Sequence, residues 1–194
     1  AHMGLDSYYQ TVVGDNPERL RAALDVAFSR SDCVVTTGGL GPTKDDLTKE
    51  MLISYFGCTP TEDAAVLHRL EARAARRGTV LTESMRKQAM VPAGATVLQN
   101  DHGTAPGVII EKDGRACIML PGPPKEMVPM FDTACEIFLR GKSDKVFVSM
   151  NIKLYTMEEK GIAVGESPVA DRLGSLVDGE NPSVATYAKA DGVL

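Results

Sequence analysis

Apolar positions recur at helical spacing in several stretches of the chain, each beginning near a residue that can cap a helix or occupy its first turn. The spacing predicts helices over residues 15–30, 46–56, 61–77, 83–90, 167–177 and from Pro124 onward. The last of these places five apolar side chains on its inner face: Met127, Met130, Phe131, Cys135 and Phe138. Each helix therefore has one face to bury against a core.

Short β-branched or alternating runs lie between these helices and predict strands. They cover residues 8–13, 32–37, 95–98, 107–111, 115–120, 145–154 and 184–187, with a hairpin turn at residues 112–114. Alternating strands and helices predict an α/β fold with a mainly parallel sheet covered on both faces. The composition changes after Gly141, so we expect one domain over residues 4–142 and a small incomplete α+β segment over 143–194.

Composition narrows the class of protein. The 194 residues are 43% hydrophobic and 24% charged, as expected of a globular chain, and the net charge of -5 argues against a nucleic-acid partner. No apolar run reaches the roughly 18–20 residues of a membrane helix and no secretory segment is visible, so we expect a cytoplasmic protein without a membrane partner. The four cysteines form no Cys-x-x-Cys pair, which predicts free thiols and no zinc site.

Two glycine-rich turns, residues 36–48 and 120–126, each lead from a strand into a helix. In parallel α/β sheets, ligands lie at the carboxyl ends of the strands. Glycines let the backbone approach a ligand closely, and the N–H groups of such a turn favour an oxyanion. Lys44 and Lys125 would add positive charge. A tight turn followed by a helix cap at Asp46 explains the first loop equally well, so both interpretations stay open.

Two adjacent carboxylates, Asp45 and Asp46, follow the first glycine turn. Beside a phosphate they would repel it unless a cation lay between them. Mg²⁺ takes one or two protein carboxylates and completes its coordination with water and substrate phosphates. The pair therefore suits metal-activated attack at phosphorus. Two solvated acids at a helix start, where the helix dipole favours them, are the alternative.

Two further polar features carry weaker signals. The turn over residues 100–107 contains Thr104, which could bond a phosphate or ribose oxygen, and His102, which could act as a proton donor. A lone histidine in a loop more often has no catalytic role, so we do not assign His102 to the site. Five basic residues lie earlier in the chain, on the helices predicted over residues 61–77 and 83–90: Arg73, Arg76, Arg77, Arg86 and Lys87. Since no aromatic residues are interleaved, we interpret them as a solvated helix face in preference to a phosphate patch.

Taken together, residues 14–16, 37–48, 103–107 and 120–127 resemble motifs of the competence/damage-inducible CinA family, in the same order, and the similarity covers nearly the whole chain. The resemblance implies the molybdopterin-binding fold shared with the MoaB and Mog proteins, a three-layer α/β/α sandwich. It also implies that residues after 143 begin a KH-like domain. The family starts with a strand that precedes residues 8–13, and we expect that strand to be missing from the sheet here.

The resemblance further implies a nucleotide pyrophosphatase that hydrolyses ADP-ribose to AMP and ribose 5-phosphate with Mg²⁺ or Co²⁺, within a homodimer or homotrimer. Asp46 and Asp45 would hold the metal and position water. The residues expected to bind substrate are Thr37, Gly38, Gly39, Gly41, Lys44, Thr104, Pro121, Gly122 and Glu126. A non-catalytic module that binds molybdopterin or a nucleotide within a larger protein is the alternative.

Adenylylation of molybdopterin, the reaction of the Mog-like relatives, is the third choice. Asp46 occupies the place of their catalytic aspartate. However, Asp45 stands where they have arginine, and Pro123 stands where they commonly have serine. Both departures follow the CinA pattern and argue against a pterin substrate.

Overall fold

The computed structural model describes residues 5–142, 148–154, 165–189 and 192–193. The chain divides into two compact units, residues 3–146 and residues 147–194. Within the described ranges, no helix combines the length and apolar character needed to cross a membrane.

The first unit alternates helices and strands as its hydrophobic pattern predicts. Its α-helices are α1 (Pro17–Phe28), α2 (Thr48–Tyr55), α3 (Ala64–Arg76), α4 (Glu83–Arg86) and α5 (Pro124–Ile137). Its strands are β1 (Cys33–Thr37), β2 (Pro60–Glu62), β3 (Met90–Pro92), β4 (Thr96–Leu98), β5 (Gly107–Lys112) and β6 (Arg115–Leu120). Turns of 3-10 helix follow α4 at Lys87–Ala89 and α5 at Leu139–Gly141.

The main sheet has the strand order β1-β6-β5-β4. β1 pairs parallel with β6, whereas the β6–β5 and β5–β4 pairs are antiparallel. The predicted α/β class is confirmed, but the mainly parallel sheet expected from the sequence is a mixed sheet. The difference arises because the 112–114 hairpin makes β5 and β6 antiparallel neighbours, and because residues 8–13 form no strand.

The core lies on both faces of this sheet, which confirms the three-layer sandwich. Val108 and Met119 face a cluster that includes apolar residues of α1 and α2. Their strand neighbours Ile109 and Ile118 face a second cluster, built with α5. Alternate side chains of β5 and β6 therefore serve opposite layers, as the period of two in a strand requires.

Two local features differ from the sequence prediction in the stretch around α3. The helix begins at Ala64 instead of residue 61, because the Asp63 side chain caps it by accepting from Val66 N at 2.8 Å. The residues just before Asp63 form β2, which pairs antiparallel with β3. In α5, Met130 is buried as predicted, and the side chain of Cys135 lies outside the described part.

The second unit contains α6 (Glu166–Leu173), a 3-10 segment (Gly174–Asp178), and an antiparallel pair of β7 (Ala188–Lys189) with β8 (Gly192–Val193). The helix predicted over residues 167–177 is therefore confirmed as α-helix up to Leu173, and the remainder is 3-10 helix. Of the strand predicted over 145–154, residues 145–147 lie outside the described ranges, and residues 148–154 make only an isolated bridge from Leu154 to Val193. The strand predicted at 184–187 instead begins at Ala188.

Candidate functional site

The two glycine-rich turns begin side by side at one edge of the main sheet. β1 and β6 run parallel, with Thr37 in register with Leu120 at their carboxyl ends. The backbone N–H of Gly38 donates to the carbonyl of Leu120 at 2.9 Å, so the pairing continues one residue beyond β1. The parallel pair therefore delivers both turns to the same place.

The two glycine turns contact each other through their backbones, at Gly38 and Gly122. A Cβ atom placed on Gly122 would lie 3.5 Å from the Cα of Gly38, in ordinary van der Waals contact. Gly38 has φ +90°, and a Cβ placed on it would meet nothing within 4 Å. No side chain covers the backbone at these two glycines, so a ligand can approach the main chain closely here, although the Gly38 N–H itself is already paired with Leu120.

The first glycine turn then folds back onto the start of α2. Gly39 has φ +67°, and its carbonyl accepts from the backbone N–H of Thr48 at 3.1 Å. A Cβ on Gly39 would come within 2.9 Å of the Thr48 Cβ and closer still to its hydroxyl oxygen. Gly39 is therefore required both for its backbone conformation and for this close contact.

The two glycines give a direct test of this geometry. We expect Gly38→Ala to lower the free energy of unfolding by about 1 kcal/mol, because a positive φ strains an alanine without any clash. Gly39→Ala combines the same strain with the Thr48 contact and should cost about 2 kcal/mol. Urea denaturation of both variants measures the difference. Equal losses would contradict the close packing of Gly39 on Thr48.

The acid pair lies further along the same turn and closes it. Asp46 Oδ2 accepts from the backbone N–H of Thr43 at 3.0 Å and from the Thr43 hydroxyl. The Asp46 N–H donates back to the Thr43 carbonyl at 3.2 Å. Gly41 lies directly beneath this carboxylate, since a Cβ there would be 2.9 Å from Asp46 Cγ. Asp46 therefore has one oxygen committed to the turn, and its other oxygen, Oδ1, accepts nothing from the described residues.

The third polar turn is organised by one buried amide, that of Asn100, which is only 5% exposed. Its Oδ1 accepts from the N–H groups of His102 at 3.0 Å and Gly103 at 2.6 Å. Its Nδ2 donates to the carbonyl of Ala105 at 2.9 Å and to Glu126 Oε2 at 2.6 Å. These four partners fix which end of the amide is oxygen. They also fix the path of the turn.

Glu126 connects the third turn to the second glycine turn. It lies in the first turn of α5, where its N–H donates to the Pro123 carbonyl at 2.9 Å. Its carboxylate packs directly over the Cα of Gly103, where no side chain would fit. Glu126 and Asn100 also line a cavity of about 60 Å³ together with residues of α5. The polar network therefore runs from the second glycine turn to Asn100.

Comparison with known proteins identifies the fold family. A family model described as a probable molybdopterin binding domain matches residues 1–141, and one described as the KH domain of the damage-inducible protein CinA matches residues 160–194. The crystal structure of a CinA protein of unknown function from Thermoplasma acidophilum is 35% identical, with a TM-score of 0.56 over 63% of this chain and 71% of that one. The chain belongs to the CinA family.

Sequence relatives agree with this assignment. A putative competence-damage inducible protein of Clostridium beijerinckii is 46% identical over 195 residues, which is 100% of this chain and 46% of that protein. Another, from Caldicellulosiruptor bescii, is 47% identical over 190 residues, 97% of this chain and 44% of that protein. The chain thus spans about half the length of the curated CinA-family relatives it matches.

The residues predicted to bind a ligand in this CinA-family chain lie in three places. Thr37, Gly38, Gly39, Pro121 and Gly122 lie where the two glycine turns meet; Gly41, Lys44, Asp45 and Asp46 lie on the acidic turn; Thr104 and Glu126 flank the Asn100 network. Lys44 and Asp45 are exposed and make no ion pair with another described residue. The structure therefore brings the two glycine turns together and joins Glu126 to the third turn.

Two residues that sequence reasoning did not assign to the site prove to hold its third turn. Asn100 was visible only as part of a polar turn, and its position after a strand is the one signal that could have suggested an Asx-type turn. Arg73 was interpreted as part of a solvated face, and this is wrong. Its Nη1 donates to the Gly103 carbonyl at 3.0 Å, and its Nε is buried without a partner among the described residues.

Proposed function

We propose that this CinA-family domain is a metal-dependent nucleotide pyrophosphatase that hydrolyses ADP-ribose or a related nucleotide. The observation that carries the proposal is the contact between Gly38 and Gly122 at the carboxyl ends of two parallel strands. Bare backbone at this place in an α/β sheet is where nucleotide phosphates bind in other proteins. The family resemblance supplies the choice of a pyrophosphate substrate.

The surroundings of the glycine contact support a phosphorylated ligand. Thr37 ends β1 with an exposed side chain directly before Gly38, so its hydroxyl can reach a phosphate oxygen bound there. Lys44 is exposed and unpaired within the described ranges, so its ammonium can turn toward a bound anion. Both groups are free to bind ligand without breaking a contact in the folded chain.

The acidic turn fits a divalent metal of the magnesium type. Among the described residues, no group of three or more histidine, cysteine or carboxylate side chains gathers that could hold an ion by itself. Asp45 and the free oxygen of Asp46 offer only hard oxygen donors, which suits an ion that completes its coordination with water and substrate phosphates. Such an ion would supply charge neutralisation and an activated water.

The protein's own part in this proposal is binding and orientation. Backbone N–H groups of the two glycine turns hold the phosphates together with Thr37; the Gly38 N–H is not among them, because it donates to a carbonyl of β6. Thr43 holds Asp46 in one orientation through two hydrogen bonds to the same oxygen, Oδ2, which leaves Oδ1 without a hydrogen bond from the described residues. A hydrogen bond from the Thr43 side chain lowers the pKa of Asp45, which keeps this exposed carboxyl group ionised near neutral pH. Hydrolysis converts one phosphoanhydride bond and one water into two phosphomonoesters.

The test is hydrolysis of ADP-ribose by the purified chain and by a full-length relative, with Mg²⁺ or Co²⁺ and with a chelator. We expect Asp46→Asn to lower kcat/KM by about 30-fold. Gly122→Ala should lower it by about 10-fold, because the added methyl group fits the fold at 3.5 Å from Gly38 yet covers the ligand's approach. Gly141→Ala is the matched control, since its Cβ would meet nothing, and it should leave the rate unchanged.

One observation favours a second candidate, a binding module without turnover. One carboxylate oxygen of Asp46 accepts both the N–H and the hydroxyl of Thr43, which is the arrangement of a residue that closes its own turn. In that case calorimetry would detect binding of a nucleotide or of molybdopterin that survives Asp46→Asn, with no product formed. Absence of hydrolysis by both proteins in the presence of metal would rule out the pyrophosphatase and leave the module.

A further inference from the structure

A cavity of about 40 Å³ lies between α3 and the third polar turn, apart from the contact of the two glycine turns. It is lined by Val66, Arg69, Arg73, Asn100, Gly103, Thr104 and Pro106. A space of this size holds roughly three waters, or the oxygen atoms of one tetrahedral oxyanion, but no base or sugar. We call it the arginine cavity.

The guanidinium of Arg73 is only partly satisfied in the arginine cavity. Its Nη1 is anchored by the Gly103 carbonyl, which fixes the plane of the group. Its Nε is buried and has no partner among the described residues. Nε itself is closed to water, so a ligand in the cavity would have to bond the terminal nitrogens of this guanidinium, whose charge would draw an acceptor there.

The charges around the cavity favour an anion as that acceptor. Arg69 is anchored in the same way, with Nη2 donating to the Asn100 carbonyl at 2.8 Å and to Asp101 at 2.9 Å. Asp101 therefore balances Arg69, whereas no carboxylate in the described part of the chain pairs with Arg73. Arg73 therefore has no ion-pair partner among the described residues at the cavity; the Glu126 carboxylate bonds Asn100 and lines the neighbouring cavity of about 60 Å³ instead of this one.

The hydroxyl of Thr104 completes the donor set. Its residue lines the cavity and is half-buried, and its hydroxyl makes no hydrogen bond within the described residues. Both a guanidinium N–H and a hydroxyl donate hydrogen bonds to phosphate oxygens, and the bond from the guanidinium is charge-assisted.

We propose that the arginine cavity is a binding site for one phosphate-type oxyanion, held by Arg73 and Thr104 with Arg69 beside it. The oxyanion is either a phosphoryl group of a nucleotide or free phosphate, because both present the same oxygens. The inference stands on the cavity itself and does not depend on pyrophosphatase activity.

The experiment measures binding of inorganic phosphate to the purified chain by calorimetry at fixed ionic strength. We expect Arg73→Gln to weaken binding about 10-fold or more, since it removes the charge while keeping a polar side chain at this position. Arg76→Gln is the matched control. Arg76 lies on the same helix, bonds its own helix carbonyl at Ala72, and does not line the cavity, so binding should stay within about 2-fold.

A second variant guards against a folding defect. Thr104→Val keeps the shape and removes the hydroxyl, and it should weaken phosphate binding about 3-fold to 10-fold with an unchanged urea midpoint. Failure of the wild-type chain to bind millimolar phosphate would overturn the proposal, because the charge of Arg73 and the Thr104 hydroxyl would then not suffice to hold an oxyanion in the cavity. Equal losses in Arg73→Gln and Arg76→Gln would overturn it too, since they would reveal general charge attraction.

Competition with ADP-ribose identifies the source of the oxyanion. Displacement of phosphate by ADP-ribose, lost in Arg73→Gln, would assign the site to a phosphoryl group of the nucleotide. Independent binding of the two would assign it to free phosphate. Either result supports the cavity as an oxyanion site, and neither requires that ADP-ribose be hydrolysed.

Discussion

Replacing Asn100 by aspartate is expected to lower the free energy of unfolding by about 3 to 4 kcal/mol at pH 7, a large share of the stability of a domain this size. The amide Nδ2 donates to Glu126 at 2.6 Å and to Ala105 at 2.9 Å. A carboxylate in its place would donate to neither and would set two negative charges against each other in a buried position. Urea denaturation of the variant measures the loss.

A second substitution distinguishes charge repulsion from simple loss of packing. In Asn100→Asp/Glu126→Gln, the glutamine amide can donate to the new carboxylate, so more than half of the lost stability should return. The single variant should also recover at pH 4. The buried pair raises the pKa of one carboxyl group in the folded state, and the deficit therefore grows as the pH rises above about 4. A loss independent of pH and of residue 126 would contradict this explanation.

The sandwich could be predicted from sequence because its elements carry local signals. The Asn16 side chain caps α1 through Arg19 N at 2.9 Å, as the polar residues before Pro17 indicated. Asp113 and Gly114 both have positive φ, the backbone that a two-residue hairpin turn with Asp-Gly requires. The alternation along β5 and β6 then divides their side chains between two layers.

The errors fall where a strand depends on its partner and not on its own sequence. Residues 8–13 have a strand-like composition, yet they pair with no described strand, and Tyr8 and Val12 are exposed. For β2 and β3 the error is the opposite one, because these strands form although the sequence did not predict them. Pro60 pairs with Pro92 in that ribbon, and proline is a signal against a strand. Local composition reports neither the presence nor the absence of a neighbour.

The candidate site shows the same contrast between features that follow from local sequence and features that depend on a distant partner. A rule about parallel strand ends predicts that Gly38 and Gly122 lie at the same edge of the sheet, whereas their contact depends on β1 pairing directly with β6, which only the structure shows. The role of Arg73 depends on its reaching the Gly103 carbonyl 30 residues away, and the commitment of Asp46 depends on the conformation of its own turn. Neither is written in residue type or spacing, which is why a solvated face was the natural interpretation of the arginines.

The second large effect on stability is expected at a buried lysine in α2, the helix that follows the first glycine turn. Lys49 in α2 is 7% exposed, and its ammonium donates to the carbonyls of Lys87 at 3.0 Å and Gln88 at 3.2 Å, with no carboxylate partner among the described residues. Burial disfavours the charged form and lowers the pKa of Lys49 from 10.5 to about 8. Below pH 8 both folded and unfolded chains hold this proton, and the folded chain bears the full cost of burying it.

Between pH 8 and 10.5 the unfolded chain therefore binds more protons at residue 49 than the folded one, and stability must rise with pH in this window. We expect the stability of the wild-type chain relative to Lys49→Met to increase by about 3 kcal/mol across it. Urea denaturation of both proteins from pH 7 to pH 10.5 measures the difference, in which other titrating groups cancel. Lys44→Met, at an exposed lysine of the acidic turn, is the control and should leave the pH dependence unchanged. A flat difference for Lys49→Met would mean that the Lys87 and Gln88 carbonyls fully compensate the buried charge.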